Sequence, residues 1–366
     1  MDEPRVLWLV SQQDGQPVGP VLWRVFFPMQ QLQARGYTAE FAWQPRSDAD
    51  LALLSAAVAA YRIDTVVLPR VYWRDPADGR QLVERLHSAG ICAVYEADDD
   101  MFLHLDEVKR GTPELAEVAL YREQRIAALR LCDGALVSTP ALATVVRSLT
   151  DKPVAVCPNT IDLDWWYRAS AGAARTIPHP TIGWAGGRRQ EEDLAPMLAA
   201  WGRIARRFPR AHFVVAGWEP PSLRALVPPG RLHVLPWLPL EEFPRSYVEI
   251  DIACCAVAPG LFNRAKSPIK AIEAGASGCA VVATPFLYRQ VIAHGENGWL
   301  AETADEWEHA LAMLLAAPSW RRQLAWRLTR TVERDWSYND PDRALRWLDA
   351  LTTIRNRYLL TRGVAA

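Results

Sequence analysis

The chain has 366 residues, half of them hydrophobic and 23% charged, with a formal net charge of −1. That length allows two domains with separate cores, and the near-neutral balance argues against a protein built to coat nucleic acid, which needs a basic surface. The apolar run Val6–Val10 is too short for a secretory leader and no stretch approaches a membrane span, so a cytoplasmic protein with no transmembrane segment is expected.

From the amino end, strand-like and helix-like runs alternate, the signature of a parallel sheet wound with helices. In the first half, strands are predicted at Val6–Val10, Thr38–Trp43, Thr65–Leu68, Ile91–Tyr95, Ala135–Ser138 and Val154–Cys157. Helices are predicted at Asp50–Ala60, Gly79–Ala89, Pro113–Leu131 and Pro140–Leu149. Thr139 followed by Pro140 marks a helix start, an N-cap acceptor and then a proline at the first helical position. The stretch Leu163–Pro180, with Ala-Ser-Ala-Gly-Ala-Ala and two prolines, breaks this rhythm and reads as a connection.

The pattern then restarts. A strand at Thr181–Ala185 runs into Gly186-Gly187, and a helix is predicted over Glu191–Phe208. Leu194, Leu198, Trp201, Ile204, Ala205 and Phe208 share one face of it, and acidic residues at its start with arginines at its end suit the helix dipole. Strands follow at His212–Ala216, Leu232–Leu235, Ile252–Ala256 and Ala280–Ala283, with helices at Pro268–Ala276, Ala304–Leu315, Trp320–Glu333 and an amphipathic Pro341–Leu360. The expected organisation is an α/β chain: a Rossmann-like domain over residues 1–165, a linker over 166–180, a second Rossmann-like domain over 181–340, and a carboxyl-terminal helix over 341–366 that packs back on the first. Two doubly wound units joined once leave a cleft, and ligands in such folds bind beyond the carboxyl ends of strands.

Six cysteines, at 92, 132, 157, 254, 255 and 279, lie mostly in apolar runs and form no C-x-x-C pair, so buried free thiols are expected and neither zinc nor a redox pair is indicated. Sixteen tryptophans are many; packing accounts for most, and sugar stacking for one or two.

Asn263–Thr284 carries the strongest chemical signal. A loop presents Lys266 and Ser267 at the start of a short helix, where free N–H groups, the dipole and a lysine together suit a diphosphate. Lys270 adds positive charge, and Glu273, on the same helix, can accept two hydrogen bonds from a ribose diol. A second signal is Asp98-Asp99-Asp100 after the strand Ile91–Tyr95. Three adjacent aspartates are costly unless solvated or engaged, so this is either a wet acidic loop or a set of ligands for sugar or acceptor hydroxyls. A metal reading of Asp98 and Asp100 is disfavoured by the two-domain layout. Third, Gly186-Gly187-Arg188 offers close backbone approach and an arginine to a phosphate. Arg24, His104, Ser138, Thr139 and Asn159 are minor candidates, each with a bland alternative as surface charge, cap or packing.

The segment Glu273-Ala274-Gly275-Ala276-Ser277-Gly278-Cys279-Ala280-Val281-Val282, with Gly295-Glu-Asn-Gly298 after it, resembles the donor-binding half of family 4 (group 1) glycosyltransferases. Pro158-Asn159-Thr160-Ile161-Asp162 is similar to that family's turn at the domain junction, and Gly19–Gly36, with Arg24, Pro28 and Leu32, has its look. The resemblance implies a GT-B fold, two Rossmann-like domains facing each other across a cleft, and sugar transfer from a nucleotide diphosphate with retention of configuration. It implies no cofactor beyond the nucleotide-sugar co-substrate and no essential metal. Glu273 then inherits ribose binding, Trp237 falls where related folds place the nucleobase, Lys266, Asp98 and Asp99 become the catalytic candidates, and Gly186, Gly187, Arg188, Ser267 and Lys270 complete the donor site. Two departures stand out: the family's first glutamate falls on Ala265, and no lysine follows Arg188 and Arg189 nearby. Ala265 keeps open a non-catalytic partner subunit on a decayed transferase fold, and a nucleotide-sugar 2-epimerase is the alternative enzyme on the same architecture. The acceptor class stays open among saccharides, lipid-linked saccharides, natural products and proteins.

Overall fold

The structure, a computed structural model, describes residues 3–10, 19–44, 48–103, 121–178, 180–187 and 191–363. The chain divides into two compact units. The first comprises Met1–Thr160, the tripeptide Ala265–Ser267 and Asp340–Ala366; the second comprises Ile161–Arg264 and Pro268–Asn339.

The first unit is built on a six-stranded sheet in the order β2-β1-β3-β4-β5-β6, all parallel. Its strands are β1 (Val6–Val10), β2 (Ala39–Trp43), β3 (Thr65–Pro69), β4 (Cys92–Ala97), β5 (Gly134–Val137) and β6 (Val154–Val156). Every residue of β1, β4 and β5 is buried, which is why β1 and β5 read as unbroken apolar runs and β4 does so as far as Tyr95, ahead of the buried Glu96. Val6, Trp8 and Val10 face one layer with Leu136, and Leu7 and Leu9 face the other. A helix at Asp342–Thr361 closes the first layer with Trp347, Leu351 and Ile354. A π-helical turn, Leu22–Phe26, continues into the helix Phe27–Gln33 and carries Arg24.

The second unit repeats the plan in the order β12-β11-β10-β7-β8-β9, again parallel. Here β7 is Thr181–Gly186, β8 His212–Gly217, β9 Leu232–Leu235, β10 Ile252–Cys255, β11 Ala280–Ala283 and β12 Trp299–Leu300. The helix Ala195–Arg207 packs Leu198, Trp201, Ile204 and Ala205 onto this sheet, as its spacing requires. Burying each of its large side chains stabilises the unit by about 1.5–3 kcal/mol. A 3-10 turn, Glu191–Leu194, precedes it, with Pro196 at the second helical position.

Two differences from the sequence reading have plain causes. Leu163–Pro180 is not wholly irregular: Leu163–Ser170 is a helix, capped by Asp162, whose carboxylate accepts from the Trp165 amide at 2.8 Å. Burial of Leu163 and Trp166 drives it, while the small residues that suggested a connection follow it. Strand β12, with two residues, is too short to leave a periodic trace. Of the predicted helix Pro113–Leu131, the described part is Arg122–Leu131.

Candidate active site

In the second unit the strand ends and one helix gather a compact group. The helix Ile269–Ala276 starts after Pro268 with no side chain capping it, so its first N–H groups have no side-chain partner at the cap. Glu273 on this helix is 1% exposed. Its Oε2 accepts from the Tyr247 hydroxyl at 2.6 Å and from Lys270 Nζ at 2.9 Å. Oε1 takes neither bond. Burial beside this carboxylate pushes the Tyr247 hydroxyl well above its usual range, so it stays protonated and donates. Lys270 Nζ also lies 5.1 Å from the centre of the Phe243 ring, a cation–π contact. Lys270 and Tyr247 line a recess with Trp184, Cys255 and Tyr288 beyond the ends of β7 and β10.

Next to it, β7 and β8 end in paired glycines, Gly186 and Gly217. Gly217 has φ +98°, and a Cβ there would meet Gly186 O at 2.5 Å and the Trp237 ring at 2.7 Å. At Gly187 a Cβ would meet the same ring at an ordinary 3.8 Å. The glycine that this close approach requires is therefore Gly217, which the sequence reading did not single out. Trp237 follows β9 and is 52% exposed, its ring tilted 6.5 Å from Phe243. Its ring packs over Gly217 and against Phe243 while about half of it stays open to solvent. Trp166, Phe243 and Tyr247 form the aromatic wall behind it.

The first unit holds a different group. Residues 265–267 belong to it: Ala265, where the family pattern has a glutamate, is 2% exposed in the apolar layer beside Val137 and Leu142, where a carboxylate would be costly. Its carbonyl accepts from Thr139 Oγ1 at 2.8 Å, while the Thr139 oxygen also caps the helix Pro140–Arg147 through the Leu142 amide. Lys266 Nζ lies 3.4 Å from Asp99 Oδ1. Ser267 Oγ accepts from Asn159 Nδ2 at 2.8 Å.

The acidic run is engaged, not a wet loop. Asp98 is 8% exposed, with Arg70 Nε 3.5 Å from its Oδ1. Asp100 accepts from the Phe102 amide at 3.1 Å in a local turn. Burial raises the Asp98 pKa against the pull of Arg70. Ser138 donates to the Asp98 carbonyl at 2.6 Å. Arg70 occupies the left-handed region, φ +51°, a conformation unusual for a long side chain and often found at working sites. Its charge partner lies 28 residues on in the chain, and sequence spacing gave no sign of it.

Among the minor candidates, Arg24 is neither a surface charge nor a solvent-facing group: it is 1% exposed and bonded to Glu96. Ser138, Thr139 and Asn159 are buried and spend their polar atoms internally. Arg188 and His104 lie outside the described residues. All six cysteines are free and buried.

Residues 179–317 match the family model described as glycosyl transferases group 1. No curated protein matches the sequence significantly. Among solved structures, the chain is similar to sucrose-phosphate synthase from Thermosynechococcus elongatus, at 15% identity and TM-score 0.66, over 96% of this chain and 99% of that one. It is similar to HepE of Anabaena, solved with UDP and glucose, at 14% identity and TM-score 0.59, over 98% of this chain and 99% of that one. The pneumococcal O-GlcNAc transferase GtfA, solved with UDP and GlcNAc, matches at 12% identity and TM-score 0.54, over 83% of this chain and 60% of that one. Over residues 179–317 the chain is similar to group 1 glycosyl transferases, and its two parallel six-stranded sheets have the GT-B fold of these solved structures.

Proposed function

We propose that the protein transfers a sugar from a nucleoside diphosphate to an acceptor, with retention of configuration, no essential metal and no cofactor beyond the donor. The observation that carries this reading is Glu273, a buried carboxylate held through Oε2 by Tyr247 and Lys270, beside a half-exposed tryptophan over glycine strand ends. Two donors on one oxygen fix the carboxylate and leave Oε1 for a ribose hydroxyl pair. Trp237 offers a face for the base, and Gly186 and Gly187 allow the backbone to approach phosphate. That HepE and GtfA were solved with UDP makes UDP the first nucleotide to test.

In this reading Lys266 and Ser267, just ahead of the Pro268 cap, hold the diphosphate with Arg188 and Lys270 as its charge grows. These cations stand in for a metal. The departing phosphate takes the acceptor proton, so the protein supplies position and charge rather than a strong base. Asp99, whose side chain is 23% exposed, holds Lys266 before the donor arrives and offers its carboxylate to a hydroxyl afterwards; Asp98 acts with it through Arg70. Six unpaired buried thiols fit a reducing compartment, the cytoplasm.

A thermal-shift panel of UDP, GDP, dTDP and ADP tests the reading, because a ligand that binds only the folded state raises the midpoint. One diphosphate should raise it well above the other three. No shift with any of them would overturn the donor site. Product formed from the matching nucleotide sugar without an acceptor, with inverted C2, would replace transfer by epimerisation.

A further inference from the structure

Within the first unit a chain of buried polar contacts leads from strand β4 to Ser267. Glu96 on β4 is fully buried, and Arg24 on the π-helical turn is 1% exposed. Arg24 Nε donates to Glu96 Oε1 at 2.6 Å, and Nη1 donates to the Cys157 carbonyl and to Asn159 Oδ1 at 3.0 Å. The Trp347 ring covers the guanidinium, 4.6 Å from its centroid to Cζ. Asn159 is thereby held by its oxygen, and its amide nitrogen donates to Ser267 Oγ at 2.8 Å.

This arrangement is a poor way to gain stability. A buried ion pair loses hydration on both partners, and apolar residues of the same volume often do as well or better. Nη2 of Arg24 and Oε2 of Glu96 are buried with no hydrogen-bond partner among the described residues, which adds to the cost. A π-helical turn is also uncommon and tends to mark working parts of a fold. The contacts converge on one hydroxyl, that of Ser267, adjacent to Lys266. Thr139 holds the Ala265 carbonyl and Asp99 faces the Lys266 ammonium, so Asn159 supplies a third point that fixes the turn.

We propose that Arg24 and Glu96 are positioning residues for the Lys266–Ser267 turn, acting through Asn159. The proposal rests on the reading of that turn as a holder of the donor diphosphate. Arg24 and Glu96 act on the turn by fixing its geometry. The buried charge pair sets the direction of the Asn159 amide, the amide sets the Ser267 hydroxyl, and the ammonium next to it is held where it can meet phosphate. A pair of this kind restricts the turn to one geometry.

The test is a set of double-mutant cycles read by calorimetry on the full chain, with UDP, GDP, dTDP and ADP as probes and the tightest carried forward. The free diphosphate carries the leaving group's charge, so its affinity reads the turn directly. Lys266→Ala should weaken it about tenfold, Asn159→Ala about five- to tenfold and Glu96→Gln, which keeps an acceptor for Arg24, about two- to threefold. Asn159→Ala combined with Lys266→Ala should be little weaker than Lys266→Ala alone, whereas with Lys270→Ala, in the second unit, the two losses should multiply. Should Asn159→Ala not fold, Asn159→Ser carries the same cycles. Wild-type affinity in both the Asn159 and Glu96 variants, with Lys266→Ala weakened, would overturn the positioning role and leave the turn's role intact. Equal multiplication with both lysine variants would overturn it too, as general loosening. Wild-type affinity in Lys266→Ala, or no binding of any diphosphate to the parent chain, would overturn the reading of the turn and this proposal with it.

Discussion

The two units assemble their polar groups by different routes. In the second, one short helix and one tyrosine supply the buried polar group: Lys270 and Glu273 stand three residues apart on the helix Ile269–Ala276, and Tyr247 donates from 26 residues upstream. In the first, the polar groups come from many segments: Arg24, Arg70, Glu96, Asp98, Asp99 and Lys266, with the neutral Asn159, meet in pairs across as many as 167 residues of sequence. A locally built site concentrates its effect in single residues. A site assembled over long range spreads its effect over pairs, since each buried charge depends on another.

The contrast can be broken experimentally, and the largest effect is expected at Lys266. Negative charge on the leaving group grows in the transition state, so a cation there matters more for turnover than for ground-state binding. Lys266→Ala should lower kcat about a hundredfold or more, with a smaller change in donor KM, and Lys266→Arg should recover part of it. Steady-state kinetics with the nucleotide sugar of the best-binding diphosphate measures this. A near-normal kcat would mean that this lysine is held beside Asp99 for structural reasons.

In the second unit, Glu273→Ala should cost roughly 1.5–3 kcal/mol of nucleotide affinity, the scale of hydrogen bonds to a charged group. Tyr247→Phe, which removes one of the two donors on Oε2, should cost about 1 kcal/mol. Calorimetry orders the two. Equal losses would mean that the tyrosine binds the nucleotide itself, and unchanged affinity in Glu273→Ala would remove the carboxylate from the site.

A smaller effect separates the units by pH. Full burial pushes the Glu96 carboxyl up to about 7, against the pull of Arg24 and Arg70 and with the push of Asp98. An unfolded glutamate titrates near 4.3, so between those limits the folded state holds the extra proton. Stability from this group is therefore present below the unfolded value and is lost as pH rises through about 7. Asp98, also raised by burial, adds in the same direction. The midpoint of thermal unfolding should fall by a few degrees over that window, and Glu96→Gln should flatten the fall. An identical profile in the variant would assign the slope elsewhere. The smallest effect is expected from EDTA: transfer should continue unchanged, and loss restored by manganese or magnesium would make Asp98 and Asp100 metal ligands instead.

The same contrast explains what could be read from the sequence. Among the described residues, eleven of the twelve strands lay close to their predicted positions: the inner strands, buried on both faces, are short apolar runs visible without any partner, and the half-buried edge strands are apolar enough to show as well. The segment proposed to bind the donor stood out because Lys270, Glu273 and the glycine turn at Gly278 are neighbours in the chain. Tyr247 and Gly217 were not, since their significance lies in what they touch: a carboxylate and a tryptophan ring. Nor could spacing say that Asp98 pairs with Arg70, or that Arg24 lies inside the protein. A buried arginine has the same letter as a surface one, and only the fold supplies the glutamate that keeps it there. The helix Leu163–Ser170 was obscured by the small residues that follow it.

The first unit draws on both ends of the chain. Trp347, Leu351, Ile354 and Tyr358 share an apolar layer with Val6, Trp8 and Leu136, and the 179 residues from Ile161 to Asn339 intervene, three of them returning to the first unit. During synthesis at roughly 5–20 residues per second, that layer waits about 10–35 s for its last helix. The second unit has its whole sequence out before then and can fold while the first is still open. The nascent protein thus spends its most vulnerable interval with the face around Trp8 uncovered, and a ribosome that stalled before residue 340 would hold out a complete second unit attached to an unfinished first one.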